Sequence, residues 1–505
     1  MVTFTEDDLE QILLGWLEEL GWTHVYGPDI APGEVGAERD DYRETVLDGR
    51  LVAAVTRLNP ELSPGAVAEV LRTAKRAESP VVESENWRCY RYLIEGVPVE
   101  YRDADGALRT ARARLVDWDS PWTNDLIAVN QFTVQGPKHK RRPDIILFVN
   151  GLPMSVFELK RTGKGYAPIS KGFQQIQTYR AQVPDLFRWN QVCAITDGVS
   201  ARAGSFSAPW NHWAPWKTID GRTLKPKHQD GYPLPDAEVM VKGMFRQDVF
   251  FDLVRNFIAT YGEGEKTQKR VAKYHQFWAV NKAVERTIEA VEDDGRIGVV
   301  WHTQGSGKSM EMCYYSGKVM RHPAMENPTM VVLTDRNDLD GQLLNETFAP
   351  SKIGSPLPEA PVQADSREHL KELLRGRQSG GIVFTTIQKF SPEQKGDSYP
   401  LLSDRRNVVV IADEAHRSQY DFIDGYARHM RDALPNASFI RYAYRVCRQE
   451  HASRLRRVHQ HIRHSACRSG QGHGPHLLRE PTREAGAEAR GEAASRFRLR
   501  GGDRG

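Results

Sequence analysis

RRPDIILFVNGLPMSVFELK (Arg141–Lys160) holds two apolar runs around Asn150-Gly151, with Asp144 opening the first and Glu158 and Lys160 closing the second. Asn-Gly between apolar runs specifies a type I′ hairpin, because both central residues must take positive φ. Charged residues rarely enter strands built for burial unless they are paired or hold something. The open end of this hairpin therefore reads as a site. A strict two-residue turn sets Asp144 opposite Phe157, one residue out of register with Glu158. A bulge or a three-residue loop would bring the carboxylates together, and Pro153, which cannot donate to a ladder, invites such an irregularity. Glu158 and Lys160 are two apart and share a face. Asp144 and Glu158 then suit Mg²⁺ through hard oxygen ligands. Lys160 would orient the attacking water and offset charge on a phosphate, which is phosphodiester hydrolysis. The plainer alternative is a salt-bridged hairpin end.

Working outward, the 505 residues have ordinary apolar and charged content, enough for two or more globular domains. An acidic amphipathic helix is expected near residues 5 to 20, with Leu9, Ile12, Leu13, Trp16, Leu17 and Leu20 at helical spacing. It opens a mixed segment that lasts to about residue 240. The stretch TLKPKHQDGYPLPDAE (Thr223–Glu238) reads as a surface connection between domains. The start has no basic or apolar signal segment, and no run approaches membrane-spanning length, so the expected location is the cytoplasm with no membrane partner. Cys89, Cys193, Cys313, Cys447 and Cys467 show no metal or disulfide spacing and are expected to be reduced thiols. From Arg441 onward 15 Arg and no Lys face 6 acidic residues, a surplus of nine out of the net +3, which leaves the rest of the chain at −6. Nucleic-acid binding by that body must come from local patches such as GPKHKRRPD (Gly136–Asp144).

A second site lies in VVWHTQGSGKSMEM (Val299–Met312). An apolar strand enters a Gly-rich loop and then a helix, so backbone N–H groups and a helix N-terminus face the phosphates of a nucleotide, expected to be ATP. Lys308 would reach the β/γ-phosphates and Ser309 the Mg²⁺. His302 stands where the general motif has its first Gly. The loop instead follows a helicase style in which Thr303, Gln304 and Gly305 precede Ser306, Gly307, Lys308 and Ser309. NVVVIADEAHRSQ (Asn407–Gln419) delivers Asp413 and Glu414 at the end of a buried strand, Asp413 for Mg²⁺ and Glu414 to polarise the hydrolytic water. With RIGVVWHTQ, TMVVLTDRN and GGIVFTTIQ, these strands alternate with helices and predict a parallel α/β sheet.

The hairpin, followed by QQIQTY (Gln174–Tyr179) and CAITDGVSARAGSF (Cys193–Phe206) and preceded by NDLIAVNQFTV (Asn124–Val134), resembles the nuclease domain of the restriction subunit of type I restriction-modification enzymes, a PD-(D/E)xK nuclease. The resemblance implies that Asp144, Glu158 and Lys160 form the cleavage centre and that Gln175 and Tyr179, four apart on one helix face, support it and contact DNA. The superfamily often adds an acidic residue of the first helix; Glu10 is a candidate that the sequence does not choose. VVLTDRNDLDGQL and GIVFTTIQKF occupy the places of DNA-contacting motifs in superfamily 2 helicases. KRVAKYHQFWAVNKAV (Lys269–Val284) resembles the family's lead-in and implies that Gln276 reads the adenine.

The resemblance covers residues 1 to 440 and stops after LPNASFI, where a Thr-Gly-Thr-Pro segment is expected and the chain reads RYAYRVCRQEH. Back-translated with free synonymous codons and read one base later, the tail can spell Gly-Thr-Pro-Ile-Glu, Asn-Thr-Arg and Phe-Ile-Ser-Ile-Tyr-Asp-Ile, words that resemble the family's continuation. Residues 441–505 are thus read as an out-of-frame, disordered tail, residues 1–240 as the nuclease and 246–440 as the first RecA-like lobe. In fold the chain is α/β throughout, a PD-(D/E)xK domain followed by a P-loop parallel sheet. The expected activity is that of an ATP-dependent type I site-specific deoxyribonuclease that translocates double-stranded DNA with methyltransferase and specificity subunits. The second motor lobe is absent from this reading. A free-standing repair helicase-nuclease and an inactive remnant are the alternatives.

Overall fold

The computed structural model describes residues 5–102, 105–160, 169–262, 264–302, 305–334, 343–348, 357–392, 399–413, 426–444 and 496–498. The chain opens with α1 (Glu6–Glu19), started by a capping box in which Thr5 and Asp8 bond each other's backbone N–H. Its buried stripe is Leu9, Glu10, Leu13, Leu14 and Leu17. Ile12, expected inside, is 39% exposed. The stripe is rotated toward Leu14, and this rotation carries a carboxylate, Glu10, into an otherwise apolar face.

The first sheet contains β1 (Thr23–Tyr26), β4 (Leu126–Asn130), β7 (Ile145–Val149), β8 (Leu152–Leu159), β9 (Val192–Thr196) and β10 (Ala201–Gly204), side by side in that order. It is mixed: β1 runs parallel to β4 and β8 to β9, while the other neighbours are antiparallel. Every residue of β8 is buried because both faces are covered. Leu147, Phe157 and Leu159 join the core that contains the α1 leucines. Phe148, Val156 and Ile195 join a second core with Ile176 and Tyr179 of α5 (Ser170–Gln182). Three helices, α2 (Asp48–Leu58), α3 (Pro64–Lys75) and α4 (Val82–Glu95), extend the first core, beside a hairpin of β2 (Val97–Arg102) and β3 (Leu108–Ala113). A short hairpin, β5 (Val134–Gln135) with β6 (Lys140–Arg141), precedes β7.

The bridge to the second sheet comprises α6 (Asp236–Met244), α7 (Gln247–Asn256) and the antiparallel pair β11 (Ile258–Tyr261) and β12 (Gln268–Val271). The expected connection upstream of α6 is exposed over most of residues 223–233. It does not separate two cores, however. One apolar cluster runs from Leu9 to Tyr442, and Trp22 Nε1 donates to Phe245 O at 3.0 Å and Tyr90 Oη to Val254 O at 3.1 Å.

The second sheet follows α8 (Tyr274–Glu292) and is ordered β15 (Val362–Gln363), β16 (Ile382–Thr386), β14 (Thr329–Thr334), β17 (Val408–Ala412), β18 (Ser438–Tyr444), β13 (Arg296–His302) and β19 (Arg496–Arg498). All neighbours except β19 are parallel, as the four apolar runs predict. The interior strand β18 continues past Ile440 through Tyr444, and three residues of the Arg-rich tail pair with β13. The rest of the tail, with Cys447 and Cys467, lies outside the described residues; Cys89, Cys193 and Cys313 are buried and joined in no disulfide among the described residues.

Lys269 of β12 is the strut between the two halves. Its ammonium, 2% exposed, donates to Asn190 O at 3.0 Å and Gln191 Oε1 at 2.8 Å and lies 5.5 Å from the Tyr90 ring centre. Burial without a carboxylate partner brings its pKa down to about 7. The unfolded lysine titrates near 10.4, so between about 7 and 10 the unfolded chain binds the extra proton and stability rises with pH. The penalty is complete below pH 7. Lys269→Met should therefore remove up to about 1.4 kcal/mol per pH unit of slope from the stability profile between pH 7 and 10. Denaturant melts of both chains across that range provide the check; identical slopes would refute the burial of a charge-shifted lysine.

Candidate active site

The Asn150-Gly151 turn takes φ of 52° and 80°, the two positive values that a type I′ hairpin needs. Val149 pairs with Leu152 and Phe148 with Pro153. Then the register slips, so that Leu147 faces Ser155 and Ile145 faces Phe157. Met154 is the extra residue, and its carbonyl accepts the Gln191 N–H at 2.7 Å, so the bulge leaves no orphan there. Continued by one step, the slipped register sets Asp144 against Glu158. The irregularity expected around Pro153 is the device that aligns the carboxylates.

Asp144 Oδ2 accepts the Leu159 N–H at 2.6 Å, which fixes it beside the Glu158 backbone. Glu158 is 3% exposed. Lys160 Nζ bonds Glu158 Oε1 and donates to Leu159 O at 2.9 Å. Burial raises the Asp144 carboxyl to about 7; repulsion from Glu158 and Glu10 adds to this, and the Leu159 N–H and Lys160 oppose it. Burial also pushes Glu158 up, against Lys160 and the Tyr179 hydroxyl. Tyr179 is raised by burial and by both carboxylates, with Gln175 acting the other way. Helix α5 comes this close because Gly172 rests on Ile195.

The structure thus gathers Asp144, Glu158, Lys160, Gln175 and Tyr179 at one rim of the sheet. Two acids of the first helix face it, Glu10 acting on Asp144 and Glu6 on Glu158. Glu10 Oε1 accepts from Asn130 Nδ2 at 2.7 Å and Oε2 from Gln131 Nε2 at 2.8 Å, and His24 Nε2 holds Asn130 Oδ1 at 2.9 Å. The polar pair Asn130-Gln131 ending the apolar run LIAV is the sequence signal for this support.

Glu158 Oε2 is buried with no hydrogen-bond partner, and the three acids repel one another across the rim. A cation answers both. Among the described residues no group of three or more His, Cys, Asp and Glu side chains is arranged as a metal site. Two carboxylates suit Mg²⁺, a hard cation that binds through one or two carboxylates and keeps several waters of its own.

In the second sheet, β13 leads through the Gly-rich loop to α9 (Lys308–Arg321). Gly305 and Gly307 have φ of 77° and 86°. A Cβ on Gly307 would lie 2.7 Å from Gln276 Nε2, whereas one on Gly305 would meet nothing within 4 Å. Ser306 Oγ is buried without a partner, Lys308 is buried at the first turn of α9, and Ser309 follows it. Asp413 stands at the end of β17, its N–H on Leu333 O at 3.1 Å. Open space over Gly305, a helix N-terminus and a lysine fit a nucleotide's phosphates. Gln276 accepts from the Lys273 N–H at 2.9 Å and donates to Gly307 O at 3.0 Å. Its carboxamide thus holds the loop. His302, the odd residue of the motif, forms a buried pair with Glu311 at 3.0 Å under the loop, and His275 Nε2 meets Ser306 O at 3.2 Å, its pKa lowered by burial to about 4. Nothing at the sequence level flagged Glu311. Thr303 and Glu414 lie outside the described residues.

Comparison with known proteins returns two family matches: residues 3–212 match the type I restriction enzyme R protein N terminus, and residues 275–444 match the SWI2/SNF2 ATPase. The chain is 42% identical over 448 residues to the type I restriction enzyme HindI endonuclease subunit of Haemophilus influenzae, and 32% identical over 455 residues to a Methanocaldococcus jannaschii chain bearing the type I endonuclease-subunit name MjaIXP. Each alignment covers 86% of this chain and 42% of the relative. A Staphylococcus aureus type I endonuclease subunit, SauMSSORF170P, is 27% identical over 326 residues, 60% of this chain and 30% of the relative.

Proposed function

The chain belongs to the type I restriction enzyme R proteins, with a SWI2/SNF2-type ATPase after the N-terminal region, and from that premise we propose that it cuts double-stranded DNA with Mg²⁺ at the Asp144–Glu158 rim, coupled to ATP-driven translocation. The observation that carries the reading is the bulge-aligned pair of carboxylates, Glu158 buried and Asp144 half-buried, with one unpartnered oxygen beside Lys160. Burying like charges this close is costly unless a ligand uses them. When bound, the metal supplies charge at the scissile phosphate. Asp144 and Glu158 hold it, Lys160 positions water, and Tyr179 with Gln175 fixes the Glu158 carboxylate. In the motor, Lys308, Gly305, Ser306 and Gly307 take the phosphates, Ser309 and Asp413 the nucleotide's Mg²⁺, and Gln276 sets the loop. Thr303 and Glu414 keep the roles that the family resemblance implies.

The chain spans 42% of the length of these two relatives, and the partners that their family name suggests are methyltransferase and specificity subunits, in the cytoplasm. Among the described residues no helix is long and apolar enough to cross a membrane. The test is conversion of supercoiled plasmid bearing the unmodified target by the chain with both partner subunits. Cutting should require Mg²⁺ and ATP together. Cutting in the presence of EDTA would refute the metal site, and cutting without the partner subunits would favour the free-standing repair nuclease.

A further inference from the structure

No Asp or Glu occurs from Leu126 to Pro143, although the body of the chain is acidic, and the interval closes with Lys138, His139, Lys140, Arg141 and Arg142, separated from Asp144 by Pro143 alone. A run of like charge on a loop is ordinarily a solvated surface. Here it is a braced hairpin. Arg39, 4% exposed, donates to Thr133 O at 2.7 Å and lies 3.6 Å from the Phe132 ring centre, which pins the root of β5. The Gln135 N–H bonds Tyr42 O at 2.9 Å, and the turn closes through Gly136 N to His139 O at 2.8 Å. A Cβ on Gly136 would lie 1.9 Å from Gln182 O, so the hairpin rests directly on the end of α5. Arg141 Nε bonds Gln182 Oε1 at 2.5 Å.

With Arg141 turned inward, its neighbours Lys140 and Arg142 are exposed, as are Lys138 and His139 at the tip. Lys140 lies 4.5 Å from the Tyr42 ring centre. The acids of the adjoining loop are engaged elsewhere: Asp41 is paired with Arg43 at 3.0 Å, though it also feels Lys140, and Glu44 accepts the Asp40 N–H at 2.9 Å. Among the described residues none of Lys138, Lys140 and Arg142 has a carboxylate within ion-pair distance. Lys140 and Arg142, alternate residues of the extended arm, lie about 7 Å apart, close to the axial rise of two nucleotides on one DNA strand, about 3.4 Å each, and Lys138 sits at the turn.

We propose that this hairpin is a phosphate-gripping arm that lays the backbone of double-stranded DNA, without regard to sequence, across the Asp144–Glu158 rim. The identity of the polyanion rests on the nuclease reading above. The physical need is local. Three acids repel an incoming phosphodiester, and fixed cations one to two strand steps away offset that repulsion before any metal is shared.

The experiment uses the full chain carrying Asp144→Ala, so that no cutting occurs, with a short duplex lacking any target site, no nucleotide and no divalent metal, titrated from low to near-physiological KCl. Adding Lys138→Ala, Lys140→Ala and Arg142→Ala should lower the slope of log affinity against log salt by about 2 to 3, since each phosphate contact contributes about 0.9. The charge-preserving set Lys138→Arg, Lys140→Arg and Arg142→Lys should restore the slope, which separates charge from misfolding. An unchanged slope in the alanine set overturns the arm. So does loss of binding in the charge-preserving set. Binding is read without cleavage, so failure of the nuclease reading would show separately, as cutting that survives Asp144→Ala.

Discussion

Asp144→Ala should reduce Mg²⁺-dependent plasmid cutting by about 10³-fold or more while leaving ATP binding unchanged. One of only two metal-holding carboxylates is lost, and removing a single preorganised charge partner from a transition state already costs about 10² to 10³. Folding should not suffer. The Asp144 carboxyl, raised to about 7, holds its proton in the native state between pH 4 and 7 while the unfolded chain releases it, so its contribution lowers stability as pH rises through that window. At pH 8 without metal, Asp144→Ala should melt no lower than the parent. Cutting near the parental rate would remove Asp144 from the site, and a large drop in melting temperature would mean that its bond to Leu159 is structural.

Lys308→Ala should weaken ATP binding by about 30-fold to 4000-fold, the effect of removing one partner from a buried charge contact worth about 2 to 5 kcal/mol. It should abolish ATP hydrolysis, while Mg²⁺ binding to a nucleotide-free chain stays as it was, because the rim is built on the other sheet. Titration with a fluorescent ATP analogue measures the first effect. Unchanged affinity would mean that the phosphates are held without Lys308 and that the loop serves another purpose.

The parts of the fold that the sequence discloses are those in which one residue type has one conformational use. Asn150-Gly151 needs two positive φ values and forms the turn, and the four apolar runs become parallel strands, three of them buried along almost their whole length. The hairpin register was legible only as a pair of alternatives, since a bulge depends on what lies across the sheet; the Gln191 N–H that donates to the Met154 carbonyl comes from the residue that leads into β9. Glu10 could not be chosen for the same reason. Its partners, Asn130 and Gln131, are 120 and 121 residues away. Helical spacing put Ile12 inside because it measures the helix alone, whereas the sheet that α1 meets draws Leu14 inward. His302 looked like a flaw in the phosphate-loop motif and is half of a buried pair with Glu311.

The Met154 bulge makes the rim sensitive to parity. With the bulge kept, each residue removed between Gly151 and Glu158 turns the carboxylate to the opposite side of the sheet, and each pair removed turns it back. Composition along that strand can drift among apolar residues at modest cost, but its odd or even count cannot. A one-residue deletion that leaves the bulge in place would disarm the centre with every reactive side chain still present, whereas deletion of Met154 itself would straighten the ladder and leave Glu158 opposite Asp144.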